Sequence, residues 1–157
     1  MEKLIITILF LTISCSKLEM IPITADEIIS EIKSRKKSKA VLLNIWATTC
    51  APCVEEFPMI INLDQENDDL DVIFVSTDFT EDERKAISFL ENQGLKNFSY
   101  IKNQKDQIFI DDIHQEWSGA LPFTIVFGKD NGEVVDFWEG KELESRFKRA
   151  IKQAIKK

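Results

Sequence analysis

The chain has 157 residues, 44% hydrophobic and 30% charged, which fits one folded domain with a short appendage and excludes a chain disordered throughout. A net charge of −7 leaves no basic footprint for phosphates, so nucleic acid is excluded as a partner. One His and an odd count of three Cys exclude a His-rich metal site and a framework in which every Cys pairs within the chain.

Leu4–Ile13 is an apolar run of ten behind Lys3, too short for a membrane-spanning helix, which needs about 20 residues. It reads as the apolar part of a secretory signal over residues 1–14. Ser14 before Cys15 resembles the bacterial lipobox, in which the Cys becomes the lipidated first residue, although Thr12 stands where Leu is usual. The expectation is an exported, periplasmic or otherwise extracytoplasmic chain, held to a membrane by lipid on Cys15, in a compartment where disulfides persist. A cleaved, soluble secreted form is the alternative. Residues 16–23 read as a tether, and the folded domain is expected over residues 24–157.

Thr24 and Glu27 form a T-x-x-E capping box. The helix behind it carries Ile28, Ile29 and Ile32 on one side and runs out in RKKSK, read as a solvated basic end. Val41–Trp46 is a near-continuous apolar run, too short for a helix and suited to a strand buried on both faces. A helix is predicted over Ala51–Gln65 and a second buried strand over Val72–Ser76. Another helix is predicted over Glu81–Gln93, with Ala86, Ile87 and Leu90 inside and Gly94 as its stop. Phe98–Ile101 reads as a short strand and Ile110–Trp117 as a short helix. Phe123–Phe127 and Val134–Trp138 flank KDNGE, whose Asn131-Gly132 marks a tight hairpin. From Lys141 a closing helix spaces Leu143, Phe147, Ile151 and Ile155 on one side. This alternation implies an α/β fold: a parallel sheet covered by helices, made mixed by the final hairpin.

The chemistry concentrates in C-A-P-C, which follows a buried strand and opens a helix. Two Cys separated by two residues can close a small disulfide ring. Cys50 stands where unpaired N–H groups and the helix dipole favour an anion, which lowers its pKa. Cys53 lies one turn deeper, placed to attack a mixed disulfide. Pro52 lacks an N–H that the first turn leaves unpaired anyway. Two other readings of C-x-x-C stay open. A zinc site needs four ligands, and His114 and Cys15 are all that remain to complete one. An inert structural disulfide gains little from so small a loop.

The string W-A-T-T-C-A-P-C after a buried strand resembles the thioredoxin superfamily, and C-A-P-C-V-E-E-F-P is similar to its membrane-anchored TlpA/ResA-like branch, which shares C-x-P-C-x-x-E-x-P. The resemblance covers roughly residues 24–156. It implies a thioredoxin fold, a central mixed sheet flanked by helices. The βα pair from Glu81 to Ile101 resembles the insert of that branch. It implies a thiol-disulfide oxidoreductase with Cys50 as nucleophile, Cys53 as resolving thiol, a redox-active Cys50–Cys53 disulfide, and no cofactor or metal. Asn44 stands where thioredoxins carry a buried Asp and this branch often carries Asn, so another group must handle protons. Glu56 matches the branch's acidic residue. Helix geometry supports it independently: Glu56 lies about 60° around the helix from Cys53, whereas Glu55 lies about 160° away and should face solvent. Pro58 interrupts the helix by removing the bond to the Val54 carbonyl.

In G-A-L-P-F-T, Pro122 aligns with the cis-proline of the superfamily, which implies a substrate groove of Leu121 and Pro122 with Trp46, Thr49 and Pro52 around it. Thr49 departs from the aromatic residue common before the first Cys. The implied partners are disulfide-bearing exported proteins, apocytochrome c for example, and a membrane reductase as electron donor, with the chain acting as a monomer. Disulfide formation is the alternative direction. A peroxiredoxin shares the fold but needs P-x-x-x-T-x-x-C, and Leu43 and Ala47 occupy its Pro and Thr positions. A non-catalytic binding module using the Pro122 groove is the remaining alternative. Trp117, Trp138 and His114 carry no motif and read as core or rim. Labelled fatty acid should enter the wild-type chain and be absent from Cys15→Ala; label missing from both would reject lipidation.

Overall fold

The structure, a computed structural model, describes residues 17–157. The expected signal over residues 1–14 and Cys15 lie outside the described residues. Strand β1 (Glu19–Ile23) leads to helix α1 (Ala25–Ser34), β2 (Ala40–Trp46) to α2 (Ala51–Gln65), and β3 (Leu70–Ser76) to α3 (Glu83–Asn92). Then follow β4 (Phe98–Lys102), α4 (Asp106–Ile113), the hairpin of β5 (Phe123–Phe127) and β6 (Val134–Glu139), and α5 (Glu144–Ala154). The strands form one sheet in the order β1-β4-β3-β2-β5-β6. The first four are parallel, and β5 runs antiparallel to both β2 and β6. This is the thioredoxin fold that the sequence led us to expect. The α3–β4 pair brings its strand between β1 and β3.

Strand parity sorts the core. Leu42 and Trp46 of β2 pack toward α2, α3 and α5, with Phe57, Ile60, Leu90 and Phe147. Val41, Leu43 and Ile45 point to the other face, toward α1 and α4, with Ile28, Ile32, Phe109 and Phe123. Both faces are covered, which is why β2 reads as a continuous apolar run. Asn44 has the parity of Trp46, so the fold turns its polar side chain inward toward α2.

The capping box at α1 is formed: Glu27 N–H donates to Thr24 Oγ1 at 3.4 Å, and Thr24 N–H donates to Glu27 Oε2 at 2.8 Å. Gly94 follows α3 at φ +87°, a conformation that favours glycine and ends the helix.

Four readings need correction. The tether over residues 16–23 is not free: Glu19–Ile23 pair along their length with β4, burying Met20 and Ile23. Pro22 is tolerated because β1 lies at the sheet edge. The short helix runs Asp106–Ile113 and not Ile110–Trp117, because His114 turns to extended backbone. The hairpin is not tight: Gly128 N–H donates to the Glu133 carbonyl at 2.8 Å and Gly132 N–H to the Gly128 carbonyl at 2.9 Å, so residues 128–133 form a wider loop. RKKSK is not merely solvated, since Arg35 and Lys39 both pair with Asp71, at 2.7 and 2.9 Å.

Beneath the start of α2 the packing is aromatic. Phe57 is fully buried, stacked on Phe74 with ring centroids 4.1 Å apart and set edge-on to Trp46 at 4.8 Å. Phe89 closes the cluster at 4.9 Å from Phe57. Phe57→Ala should lower the unfolding free energy by about 3–5 kcal/mol in urea titration of the oxidised protein. A loss below about 1 kcal/mol would show that this cluster collapses freely around the missing ring.

Candidate active site

Trp46 ends β2, and the Cys50 N–H donates back to the Ala47 carbonyl at 3.1 Å, closing a turn that aims the chain into α2. Cys50 is the N-cap, with extended backbone at φ −92° and ψ 96°. Its Sγ accepts the Cys53 N–H at 3.3 Å, satisfying one of the donors that a helix start leaves unpaired. No carboxylate stands in the first turn of α2 to compete for that position. Cys50 and Cys53 are joined by a disulfide, with Cα atoms 5.3 Å apart. Cys50 is half-buried and Cys53 is wholly buried, so an incoming sulfur meets Cys50 first.

Glu56 is 2% exposed, whereas Glu55 is exposed and ion-paired to Lys141 at 2.6 Å, as the helix geometry requires. Glu56 Oε1 accepts from Asn44 Nδ2 at 3.1 Å, and the same amide donates to Thr124 Oγ1 at 3.0 Å. Glu56 Oε2 and Asn44 Oδ1 are buried without hydrogen-bond partners. Burial pushes the Glu56 carboxyl up to about 7; the Asn44 amide, the nearby Glu142 backbone N–H and the Lys141 charge oppose that rise without cancelling it. Near neutral pH, Glu56 is therefore poised to take up or release a proton.

The Leu121–Pro122 peptide is cis. β5 pairs Phe123 with Ile45, which brings Leu121 and Pro122 to the sheet end where the Ala47–Cys50 turn begins. Leu121 is half-buried and Pro122 buried, while Thr49 is exposed and Pro52 half-buried. Trp46, read as a groove residue, is 0% exposed. It supports the site from beneath and offers no surface, because its parity turns it into the aromatic cluster. Pro58 is exposed within α2. Trp138 is core, and half-buried His114 packs on Phe137 at 4.0 Å.

Two parts of the site escaped the sequence reading. Trp117, read only as core or rim, stacks on Phe123 at 4.7 Å and donates Nε1–H to the Ala120 carbonyl at 2.9 Å, bracing the loop before Pro122. Nothing in its local sequence indicates this. Asp78 accepts hydrogen bonds from Thr48, two residues before Cys50. Its signal was the polar Ser76-Thr77-Asp78 at the carboxyl end of a buried strand, where sites gather in α/β sheets. Among the described residues no cluster of His, Cys, Asp and Glu is placed to hold a metal ion, and no helix is long and apolar enough to cross a membrane.

A half-buried cysteine bonded to a buried one at a helix start, with a cis-proline at the same end of a mixed sheet, defines a thioredoxin-fold disulfide site. The chain belongs to the Redoxin family, whose model matches residues 22–150. It is similar to the thiol-disulfide oxidoreductase ResA of Bacillus anthracis, 28% identical over 117 residues that cover 74% of this chain and 64% of the relative. ResA of Bacillus subtilis (strain 168) is 29% identical over 109 residues, covering 69% and 58%. The chain thus spans less than two thirds of the length of these relatives. Among solved structures, a DsbF homologue from Corynebacterium diphtheriae superposes with a TM-score of 0.62 at 20% identity, covering 76% of this chain and 74% of that one. The exposed lipoprotein thioredoxin Etrx1 of Streptococcus pneumoniae strain TIGR4 gives 0.58 at 19% identity, covering 86% and 97%.

The raised Glu56 carboxyl sets a sign for stability. Its ordinary value is 4.5 and its folded value about 7, so across that interval the folded state binds more protons than the unfolded one. Stability then falls as pH rises through the interval and levels off above it. Glu56→Gln, neutral throughout, should lose this slope and be more stable than wild type by about 1–3 kcal/mol above neutral pH, measured by urea unfolding of the oxidised proteins. A variant with the wild-type slope would reject the assignment.

Proposed function

We propose that this chain is an extracytoplasmic thiol-disulfide oxidoreductase that reduces disulfides of exported proteins. The observation that carries the reading is the ordered pair of sulfurs: half-exposed Cys50 at the helix N-terminus, joined to wholly buried Cys53. In the reduced enzyme the Cys50 thiolate attacks one sulfur of a client disulfide. A Cys50–client bond forms, and the other client sulfur leaves as a thiolate. Cys53 then attacks Cys50 Sγ, restoring the enzyme disulfide and releasing the second client thiol. Two electrons pass from enzyme to client. Glu56, one helical turn beyond Cys53, takes the Cys53 proton and hands it to a departing thiolate. The backbone at Leu121–Pro122 receives an extended client segment beside Cys50.

A dithiol donor must return the enzyme to its reduced form, and we assign this to a membrane reductase. Lipid on Cys15 would keep both partners at one surface. The family resemblance to ResA supports the reducing direction and makes apocytochrome c a reasonable client class. The reduction potential of the Cys50–Cys53 couple decides between reduction and disulfide formation.

Cys53→Ser should accumulate mixed disulfides with client proteins through Cys50, visible as adducts that dissolve in dithiothreitol, and Cys50→Ser should accumulate none. Equal trapping by the two variants would overturn the assignment of nucleophile.

A further inference from the structure

The turn that carries Cys50 is gripped from the neighbouring strand. Asp78 follows β3, is 8% exposed, and directs both carboxylate oxygens at Thr48. The Thr48 N–H donates to Asp78 Oδ1 and Oδ2, each at 3.0 Å, and the Thr48 hydroxyl donates to Oδ1 at 2.7 Å. Asp78 is itself held. The Ser76 hydroxyl donates to Oδ2 at 2.7 Å, and the Asp78 N–H donates back to Ser76 Oγ at 3.0 Å. The next residue back completes the clamp, because Thr77 N–H and its hydroxyl both donate to the Trp46 carbonyl, at 2.8 and 3.2 Å. Thus Ser76, Thr77 and Asp78 seize the chain at Trp46 and Thr48, and the Ala47–Cys50 bond closes the turn just beyond. This is a built arrangement: a carboxylate at nine-tenths burial is held by the Ser76 hydroxyl and aimed at Thr48 through neutral N–H and O–H donors, with Lys85 as its charged neighbour.

We propose that Asp78 is a positioning residue for the Cys50 nucleophile, fixing the turn so that Cys50 Sγ meets the unpaired N–H groups of α2. The inference rests on the reading of Cys50 as the attacking thiol. It works through geometry. With Thr48 held, Cys50 stays at the N-cap, where the helix start stabilises its thiolate. With Thr48 released, the turn loosens and the sulfur samples positions away from those donors.

Removing Asp78 also removes a negative charge, and the two effects have opposite signs. Loss of the charge favours the thiolate and lowers the Cys50 pKa, whereas loss of the grip raises it. Asp78→Asn and Asp78→Ala separate them. The Asn side chain keeps an oxygen for the Thr48 donors and can donate to Ser76 Oγ, but it is neutral. The test is the pH profile of Cys50 alkylation in the reduced full chain, read on the Cys50 peptide by mass spectrometry, with reduction of insulin as a second readout. Asp78→Ala should raise the Cys50 pKa by about one unit. It should also slow insulin reduction by about ten- to a hundredfold, the scale of a misplaced reacting group. Asp78→Asn, which loses the charge and keeps the grip, should lower the Cys50 pKa slightly and keep insulin reduction close to wild type. Thr48→Val, which loses the hydroxyl bond and keeps the N–H, should fall between them. It serves in place of Asp78→Ala if that variant does not fold, which its circular dichroism would show. Equal downward shifts in Asp78→Asn and Asp78→Ala would mean that only the charge acts, and unchanged profiles in folded Asp78→Ala or Thr48→Val would mean that the grip is purely structural. Either result overturns the proposal. Failure of the wild-type chain to reduce insulin would instead overturn the oxidoreductase reading, while the alkylation profiles would still decide whether Asp78 sets the thiol.

Discussion

A helix cannot begin without leaving backbone N–H groups unpaired, and here the first residue to answer that demand is a cysteine. Cys50 Sγ takes the Cys53 N–H, Pro52 removes one donor outright, and no carboxylate competes in the first turn. The donors that remain favour negative charge on Cys50. One residue pair thus acquires an asymmetry that its sequence does not display, since both members are cysteines. Cys50 gains electrostatic support and access, and Cys53, inward on the first turn, gains neither. The order of attack proposed for dithiol exchange rests on where α2 starts.

What keeps that start in place is packing on one side and hydrogen bonding on the other. Trp46 and Phe57 lock the end of β2 to the body of α2, and the Ser76–Asp78 segment holds the intervening turn. Between these lies the polar layer of Asn44, Glu56 and Thr124, three buried polar side chains joined by hydrogen bonds. A buried polar layer costs stability wherever an atom lacks a partner, and Glu56 Oε2 and Asn44 Oδ1 do. An apolar layer would pack more favourably. On the proposed mechanism, the layer's value lies in the one carboxyl it carries, held near neutral pH.

Most of this was legible in the sequence, for reasons that differ by element. β2 and the α1 capping box announce themselves through short-range pattern. Cys50, Cys53 and Glu56 are tied together by helical spacing within seven residues, so local geometry suffices. β1 was missed because five residues containing a proline make a weak strand signal. Among the described residues its partner is β4, from Glu19 pairing with Phe98 to Ile23 pairing with Lys102, a distance along the chain that no local window spans. Trp46 was misread because a tryptophan beside an active-site motif suits a rim and a core equally; the parity of β2, not its composition, decides. Asp78 and Trp117 act across strands and loops, by contacts that exist only once the sheet is assembled.

The choice of Asn at position 44 bears on how protons move. Its amide stands 3.1 Å from Glu56 and donates to it, so the pair holds one titrating group. An aspartate there would set two carboxyls against each other at that distance, and they would titrate jointly, one pushed far up by its neighbour's charge. With Asn44 the neighbour is a fixed dipole that draws the Glu56 carboxyl down against the pull of burial. A further restraint, beyond Asn44 and the Glu142 backbone, comes from outside the core. Lys141 lowers Glu56 through its charge, and Lys141 is held by Glu55 at 2.6 Å on the exposed side of the same helix. Glu55, which faces solvent and touches no sulfur, therefore helps decide where that ammonium rests. The exposed and buried carboxylates of α2 are coupled through one lysine, and water screens the coupling only on the outer side.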